Sequence, residues 1–244
     1  MLTADSVSKH FGGLQALLDV SFQAPGGRVT AVIGPNGAGK STLLDCLTGL
    51  TDMDSGQVTL DGQALGPRLL GRLVEVGIAR TFQNLRLFPS LSVLEHLLLA
   101  RRTFVRTHRA RAAGRPLDHE LCLSLLERVG LAAKARWSPD ALAYGEKRRL
   151  EIARALATEP RLVLLDEPAA GANAAEQQAL GTLIEGIAAD GAAVVLVEHH
   201  MELVGRLASS VVVLNFGQIV TAGTIDAVRS HPEVISAYLG TTAT

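Results

Sequence analysis

Apolar positions along this chain follow two rhythms, and the changeover between them marks its organisation. In the first third they come in short blocks: "SVSKHF", "VSFQA" and "RVTAVIG" read as strands, and "GQVTLDGQAL" carries an Asp61-Gly62 hairpin signal. From about Ser90 to Thr158 the spacing turns helical, in "SVLEHLLLARR", "DHELCLSLLERVGL" and "YGEKRRLEIARALA". The last third alternates. "RLVLLDEP" and "AAVVLVEHH" are apolar runs suited to parallel strands covered on both faces, with "AAEQQALGTLIEGIAAD" as the helix between them. "SVVVLNFGQIVTAG" then reads as a closing hairpin that turns at Asn215 to Gly217. The pattern predicts an α/β fold around a parallel sheet, with no internal repeat.

Composition narrows the class without naming a function. The 244 residues carry a formal net charge of −1, which disfavours charge-driven binding to nucleic acid. One segment departs from this balance: residues 100–116, "ARRTFVRTHRARAAGRP", are rich in arginine and hold no acid. They read either as a solvated helix end and loop or as a basic contact for anionic headgroups or a partner protein. Cys46 and Cys122 lie far apart with no metal-ligand spacing, as suits a reducing cytosol. "MLTADSVSK" lacks the basic and apolar regions of a secretion signal, and no apolar run reaches the roughly 18 residues of a membrane helix. The expectation is a soluble cytoplasmic protein that docks on a membrane rather than crossing it, if it meets one.

Candidate chemistry begins in a gap between a strand and a helix. "VIGPNGAGKSTLL" runs from an apolar strand ending at Ile33, through three glycines, into an apolar-periodic segment after Lys40. Glycines raise the entropy lost on folding, so a loop holding Gly34, Gly37 and Gly39 needs a use other than stability. Residues 34–41 satisfy G-x-x-x-x-G-K-S/T, the phosphate-loop pattern, in which successive backbone N–H groups converge on an anion. On this reading Gly34, Pro35, Asn36, Gly37, Ala38, Gly39, Lys40, Ser41 and Thr42 hold the phosphates of a nucleotide. The helix that follows adds its positive end, Lys40 bridges the phosphates and the Ser41 hydroxyl ligates Mg²⁺. "LVLLDEP" sets Asp166 and Glu167 at the end of an apolar strand, where parallel sheets build ligand sites. Asp166 would hold the Mg²⁺ shell, and Glu167 would orient or deprotonate an attacking water. These two motifs admit kinases and GTPases as well as ATPases.

The field narrows at "LAYGEKRRLEIARALA", residues 142–157, just before the acidic strand. Here the chain resembles the ATP-binding cassette (ABC) ATPases, whose signature segment has this position and this helical continuation. The resemblance extends over essentially the whole chain. It implies one phosphate-loop NTPase cassette over residues 1–244, with a RecA-like core, an antiparallel β subdomain and a helical subdomain at about residues 85–157. It also implies ATP and Mg²⁺ as cofactors, and a head-to-tail dimer with a second copy or a homologous subunit. In that dimer Ala143, Tyr144, Gly145 and Glu146 of one subunit would cap the ATP held by the other's glycine loop. The helix starting near Gly145 would aim its amides and dipole at the γ-phosphate. Gln83, in "ARTFQNLRLF", matches the glutamine that reaches Mg²⁺ and the attacking water. His199, in "VEHHM", matches the switch histidine on the γ-phosphate, and Phe11, in "KHFGG", the aromatic that stacks on adenine. Integral membrane permease subunits would dock between the Gln83 loop and the helical lobe, against Leu85, Leu87 and Phe88. Nucleic acid has no part in this scheme.

Departures from the family's usual pattern point to a branch. Ala143 stands where a serine is usual and Tyr144 where a glycine is, which leaves backbone amides to do more. Asn173 stands where many cassettes place an aspartate, and His200 follows His199 where an acid is common. With "RTFQNLRLF", "LDEPAAGAN" and the ending "HPEVISAYLG", the chain looks like the ATPase subunits of branched-chain amino acid importers. The implied function is ATP hydrolysis driving import of branched-chain or related hydrophobic amino acids, at the inner face of the plasma membrane. Cassettes for urea import or lipopolysaccharide export, soluble cassettes acting on nucleic acid or ribosomes, and a phosphate-loop kinase are the alternatives at this point.

Overall fold

The strand blocks of the first third divide between two sheets. β1 (Leu2–Phe11) turns at Gly12 and Gly13 into β2 (Leu14–Ala24), and the pair is antiparallel. β3 (Val29–Ile33) leaves for a second sheet, while β4 (Ser55–Leu60) returns to β1 and turns into β5 (Gln63–Ala64). The second sheet adds β6 (Ile78–Arg80), β7 (Leu162–Asp166), β8 (Ala193–Val197), β9 (Ser210–Asn215) and β10 (Gln218–Gly223). Its order is β10-β9-β3-β8-β7-β6, parallel throughout except for the β9–β10 hairpin at one edge. The structure is a computed structural model and describes residues 1–66, 69–108 and 119–239.

Helices fill both faces of the parallel sheet because its strands are apolar on both. α1 (Lys40–Leu47) inserts Leu43, Leu44 and Leu47 between the two sheets, against Val32 and Val195 on one side and Leu17 and Val58 on the other. On the opposite face Val163, Leu165, Val194 and Leu196 pack on α5 (Ala174–Ala189). That core continues without a break into the helical part: α2 (Val93–Thr107), α3 (His119–Arg128) and α4 (Tyr144–Leu156) contribute Leu97, Leu126 and Leu150. A third cluster seats α6 (Met201–Leu207), α7 (Ile225–Arg229) and α8 (Pro232–Leu239) on β3 and β9 through Val204, Val228 and Val234. Period-2 alternation sorts these faces: Ala31 and Ile33 face the third cluster, and Val32 between them faces α1.

Both hairpins expected from the sequence form, and both are two-residue turns with positive φ at each turn residue. Asp61 and Gly62 stand at 51° and 79°, Phe216 and Gly217 at 44° and 76°. Such turns match the twist of the flanking strands but hold the first residue in a left-handed conformation, which costs an ordinary L-residue roughly 1–2 kcal/mol. Aspartate tolerates that conformation; phenylalanine has no local means of doing so.

Three expectations need amendment. β1 and β2 extend well beyond "SVSKHF" and "VSFQA", and β6 was not anticipated, since three residues are too few to show alternation. Arg101, in the arginine-rich segment, is not a surface charge. It is buried, donates to Glu159 at 2.8 Å and lies 4.6 Å from the Phe104 ring centroid. Residues 109–116 of that segment lie outside the described residues. Both cysteines are buried, and among the described residues no helix is long and apolar enough to cross a membrane.

Candidate active site

Neighbouring strands end along one edge of the parallel sheet, and each hands over to a motif loop. Register sets Val32 of β3 opposite Val197 of β8, and Val197 opposite Asp166 of β7. The glycine loop, the Glu198-His199 segment and Glu167 therefore leave the sheet side by side. β6 joins them, with Arg80 opposite Leu164 and the Thr81 N–H donating to Leu164 O at 3.0 Å, two residues before Gln83. Carboxyl ends of parallel strands are where open α/β sheets place ligands.

The glycine loop is shaped by how closely other backbone approaches it. A Cβ on Gly34 would sit 2.1 Å from Leu214 O, and one on Gly39 would sit 2.7 Å from Ala16 O. Gly39 also caps α1 at φ 103° without a side-chain hydrogen bond, and the first turn of α1 has no acid. Its N–H groups thus remain available to an anion. Lys40 is buried and bends back over its own loop, donating from Nζ to Gly34 O at 2.8 Å and Pro35 O at 3.0 Å. Burial holds its ammonium below the usual lysine range, against the pull of the Glu167 and Asp166 carboxylates. A cavity of about 460 Å³ opens here and brings together Phe11, residues 36–42, Gln83 and Glu167. Gly34 and Pro35 lie behind it as the loop's root.

The acidic pair divides by depth. Asp166 is buried, and burial pushes its carboxyl above the usual range; Arg80 draws it down, while Glu167 and Asp45 push it further up. Arg80 was not foreseen. Its guanidinium, almost wholly buried, lies 2.7 Å from Asp45 Oδ1 and 3.6 Å from Asp166 Oδ2, and donates to Thr48 Oγ1 at 3.0 Å. It so ties β6 to α1 and β7. Glu167 stands at φ 46° at the cavity wall, and Gln83 Nε2 donates to its Oε2 at 3.1 Å. The Ser41 hydroxyl, Asp166 carboxylate and Gln83 amide oxygen are oxygen donors of the kind a hard cation takes. Crowding of Asp166 by two further carboxylates is what a bound divalent ion would relieve.

Beyond Gln83 the loop is held by α4. Arg148 is buried and donates to Phe82 O at 2.6 Å, to Gln83 O, and to the Tyr144 hydroxyl at 2.8 Å. One turn on, Glu151 Oε1 accepts the Arg86 N–H at 3.0 Å, and Arg154 donates to Arg86 O. Residues 148, 151 and 154 are spaced to share one helix face, so a single face grips both ends of the segment from Phe82 to Arg86. Burial pushes the Glu151 carboxyl up and the Arg154 guanidinium down, each opposed by its oppositely charged neighbour.

The ABC transporter family model matches residues 17–170. The chain belongs to the ABC transporter family. It is the ATPase cassette of that family, with the phosphate-loop α/β fold. It is 38% identical to the high-affinity branched-chain amino acid transport ATP-binding protein BraF of Pseudomonas aeruginosa, over 98% of each chain. To LivG of Escherichia coli K12, described in the same terms, it is 37% identical, again over 98% of each. Among solved structures it is similar to the ADP conformation of an ATP-binding cassette of an ABC transporter (TM-score 0.84, 29% identity, 98% of each chain). It also resembles a dimeric bacterial ABC transporter cassette (TM-score 0.80, 26% identity, 92% of this chain and 99% of that one).

Not every predicted site residue of the cassette reaches the cavity. Tyr144 and Gly145 instead line a narrow cleft with Pro168, Ala170, Ala172 and Glu176. Glu146 accepts the Ala143 N–H at 3.1 Å and the Lys134 ammonium at 2.7 Å, half of a capping box that Ala143 has no oxygen to complete. Asn173 caps α5 reciprocally with Glu176. His199 is exposed beyond β8, its ring 4.4 Å from that of His200. Beneath them the fully buried Glu198 accepts N–H groups from Ala169 at 2.9 Å, His199 at 3.1 Å and His200 at 3.4 Å. These three side chains could be taken for a metal cluster. The glutamate's oxygens are already occupied, and it braces the turn after Glu167 against the His199 loop. Of the expected docking residues, Leu87 packs on the helical core and Phe88 stays exposed, stacked on His96 at 5.9 Å.

Proposed function

We propose that the chain is the ATP-hydrolysing subunit of an importer for branched-chain or related hydrophobic amino acids, acting as one cassette over its length. The chemistry rests on one observation: a single cavity gathers the glycine loop, Lys40, Gln83 and Glu167. The solute is supported by the names of BraF and LivG, which both specify branched-chain amino acid transport.

Loop amides and Lys40 bind the β- and γ-phosphates, and Phe11 packs on the base. Lys40 must exchange its two carbonyl partners for phosphate oxygens as ATP enters. Mg²⁺, when held by Ser41, Asp166 and Gln83, supplies charge neutralisation on the phosphates. Glu167 then orients the attacking water and accepts its proton, with Gln83 positioned by hydrogen bonding to fix the carboxylate's direction. His199 contacts the γ-phosphate. In a head-to-tail dimer, residues 143–146 of the partner complete the site from their separate face. Permease subunits on the inner face of a membrane receive the resulting motion.

Glu167→Gln tests the assignment. The amide keeps the shape but cannot take the proton, so turnover should fall about 10²- to 10³-fold while ATP affinity is kept. Gel filtration with ATP and Mg²⁺ should then show an accumulating dimer. Turnover near that of the unaltered chain would remove Glu167 from the role of base.

A further inference from the structure

Two hairpins of this molecule make the same turn with different residues. At Asp61-Gly62 the first turn position holds aspartate, a residue that accepts a left-handed backbone; at Phe216-Gly217 it holds phenylalanine at φ 44°. Nothing in the fold rewards the Phe216 side chain, which is 84% exposed, the most exposed of the large apolar side chains described. A bulky residue that is both strained in its backbone and unburied is an outlier whose reason lies outside the folded core.

Its surroundings say where that reason lies. The turn is bolted to the glycine loop and to β2: Gly217 N–H donates to Ala38 O at 2.9 Å, and Leu18 N–H donates to Gly217 O at 2.8 Å. A Cβ on Gly217 would stand 2.5 Å from Ala16 O, so the turn sits as low as backbone allows. This presents Phe216 to the same cavity that Phe11 lines. Phe11 has Lys9 Nζ over its ring at 5.3 Å, which leaves its other face for a ligand. The cavity thus carries both polar phosphate-binding groups and two aromatic rings, Phe11 and Phe216.

We propose that Phe216 is a second aromatic contact for the nucleobase, forming with Phe11 a slot that holds the base by its faces. The inference rests on the reading of this cavity as the nucleotide site, and its experiment separates the two. Affinities of ATP and of inorganic triphosphate, which has no base, are measured by calorimetry for five chains: unaltered, Phe216→Ala, Phe216→Asn, Phe216→Trp and Lys40→Ala. Phe216→Ala and Phe216→Asn should weaken ATP binding by about tenfold, the scale of one lost base–aromatic stack, and leave triphosphate binding unchanged. Phe216→Trp should retain ATP affinity. Phe216→Asn should also raise the melting temperature, because asparagine suits the left-handed turn that phenylalanine strains.

Unchanged ATP affinity in Phe216→Ala would overturn the proposal and assign the exposed ring to a protein partner. An equal loss for ATP and triphosphate would overturn it too, since the effect would then run through the shape of the loop. Lys40→Ala should weaken both ligands. If it weakens neither, the cavity is not the phosphate site, and that failure is read independently of Phe216.

Discussion

Where the glycine loop is fixed by backbone, the Gln83 loop facing it across the same cavity is fixed by charged side chains. Gly34 and Gly39 are pressed against carbonyls of Leu214 and Ala16, and every one of these contacts belongs to the sheets. The Gln83 loop has one end in the sheet, through Thr81 and Leu164, and the other gripped by Arg148, Glu151 and Arg154 of α4. A loop pressed between strands of both sheets keeps a fixed shape for phosphate. A loop held by the sheet at one end and by α4 at the other follows any shift of α4 against the sheet, and Gln83 has its amide on Glu167. Buried charge is a poor source of net stability, since desolvation offsets most of the attraction. The grip of α4 is therefore better understood as geometric than as energetic.

That contrast is easiest to break at Glu151. Glu151→Ala leaves Arg148 and Arg154 without their buried acid and Arg86 without its acceptor, and should cost about 3–5 kcal/mol in urea unfolding. Replacing residues 148, 151 and 154 together by apolar side chains of similar volume should recover most of this. Hydrogen exchange at residues 82–86 should then become fast while nucleotide still binds. A loss below about 1 kcal/mol for Glu151→Ala would mean the loop is held elsewhere. The glycine loop should respond oppositely, to added volume rather than lost charge. Gly34→Ala drives a methyl into Leu214 O and should cost about 2–3 kcal/mol together with nucleotide binding. Gly37, which has open space around its missing Cβ, is the internal control: Gly37→Ala should cost only the left-handed backbone, about 1 kcal/mol, by thermal melting. The smallest effect on stability is expected at the far end of the Gln83 loop. Phe88→Asp should shift stability by no more than about 0.5 kcal/mol, yet lower solute uptake in reconstituted vesicles while the isolated subunit's ATPase activity holds. Unchanged uptake would move the permease contact away from Phe88.

The two regions also differ in how far the sequence announced them. The glycine loop is local: eight consecutive residues, between a strand and a helix, carry both the pattern and its chemistry. Asp166 and Glu167 were legible for the same reason, standing at the end of an apolar run. The grip on the Gln83 loop was not, because Arg148 and Phe82 meet only in the folded chain and the helix pattern marks their face merely as polar. Arg80 hid in a strand too short to alternate. Glu198 closes an apolar strand, and its polarity reads from sequence as the strand's end rather than as a buried brace. Phe216 was visible as a hairpin residue, but its strain appears only once φ is known. Leu87, expected to face a partner, also packs in part on the helical core, since an apolar residue in a loop does not declare which side it covers.

The sheet order carries one more consequence, for a chain that emerges from the ribosome with its N-terminus first. β3, which launches the glycine loop, lies between β8 and β9: Val29 pairs with Val194, and Thr30 with Ser210. The carbonyl that presses on Gly34 comes from Leu214, and the N–H that binds Ala38 of the loop comes from Gly217, so the loop's rear wall is synthesised late. Non-local pairing of this kind postpones structure until both partners exist. A nascent chain halted before Ala193 would hold the complete phosphate-loop motif, with every residue that names it, and no place for a phosphate to bind.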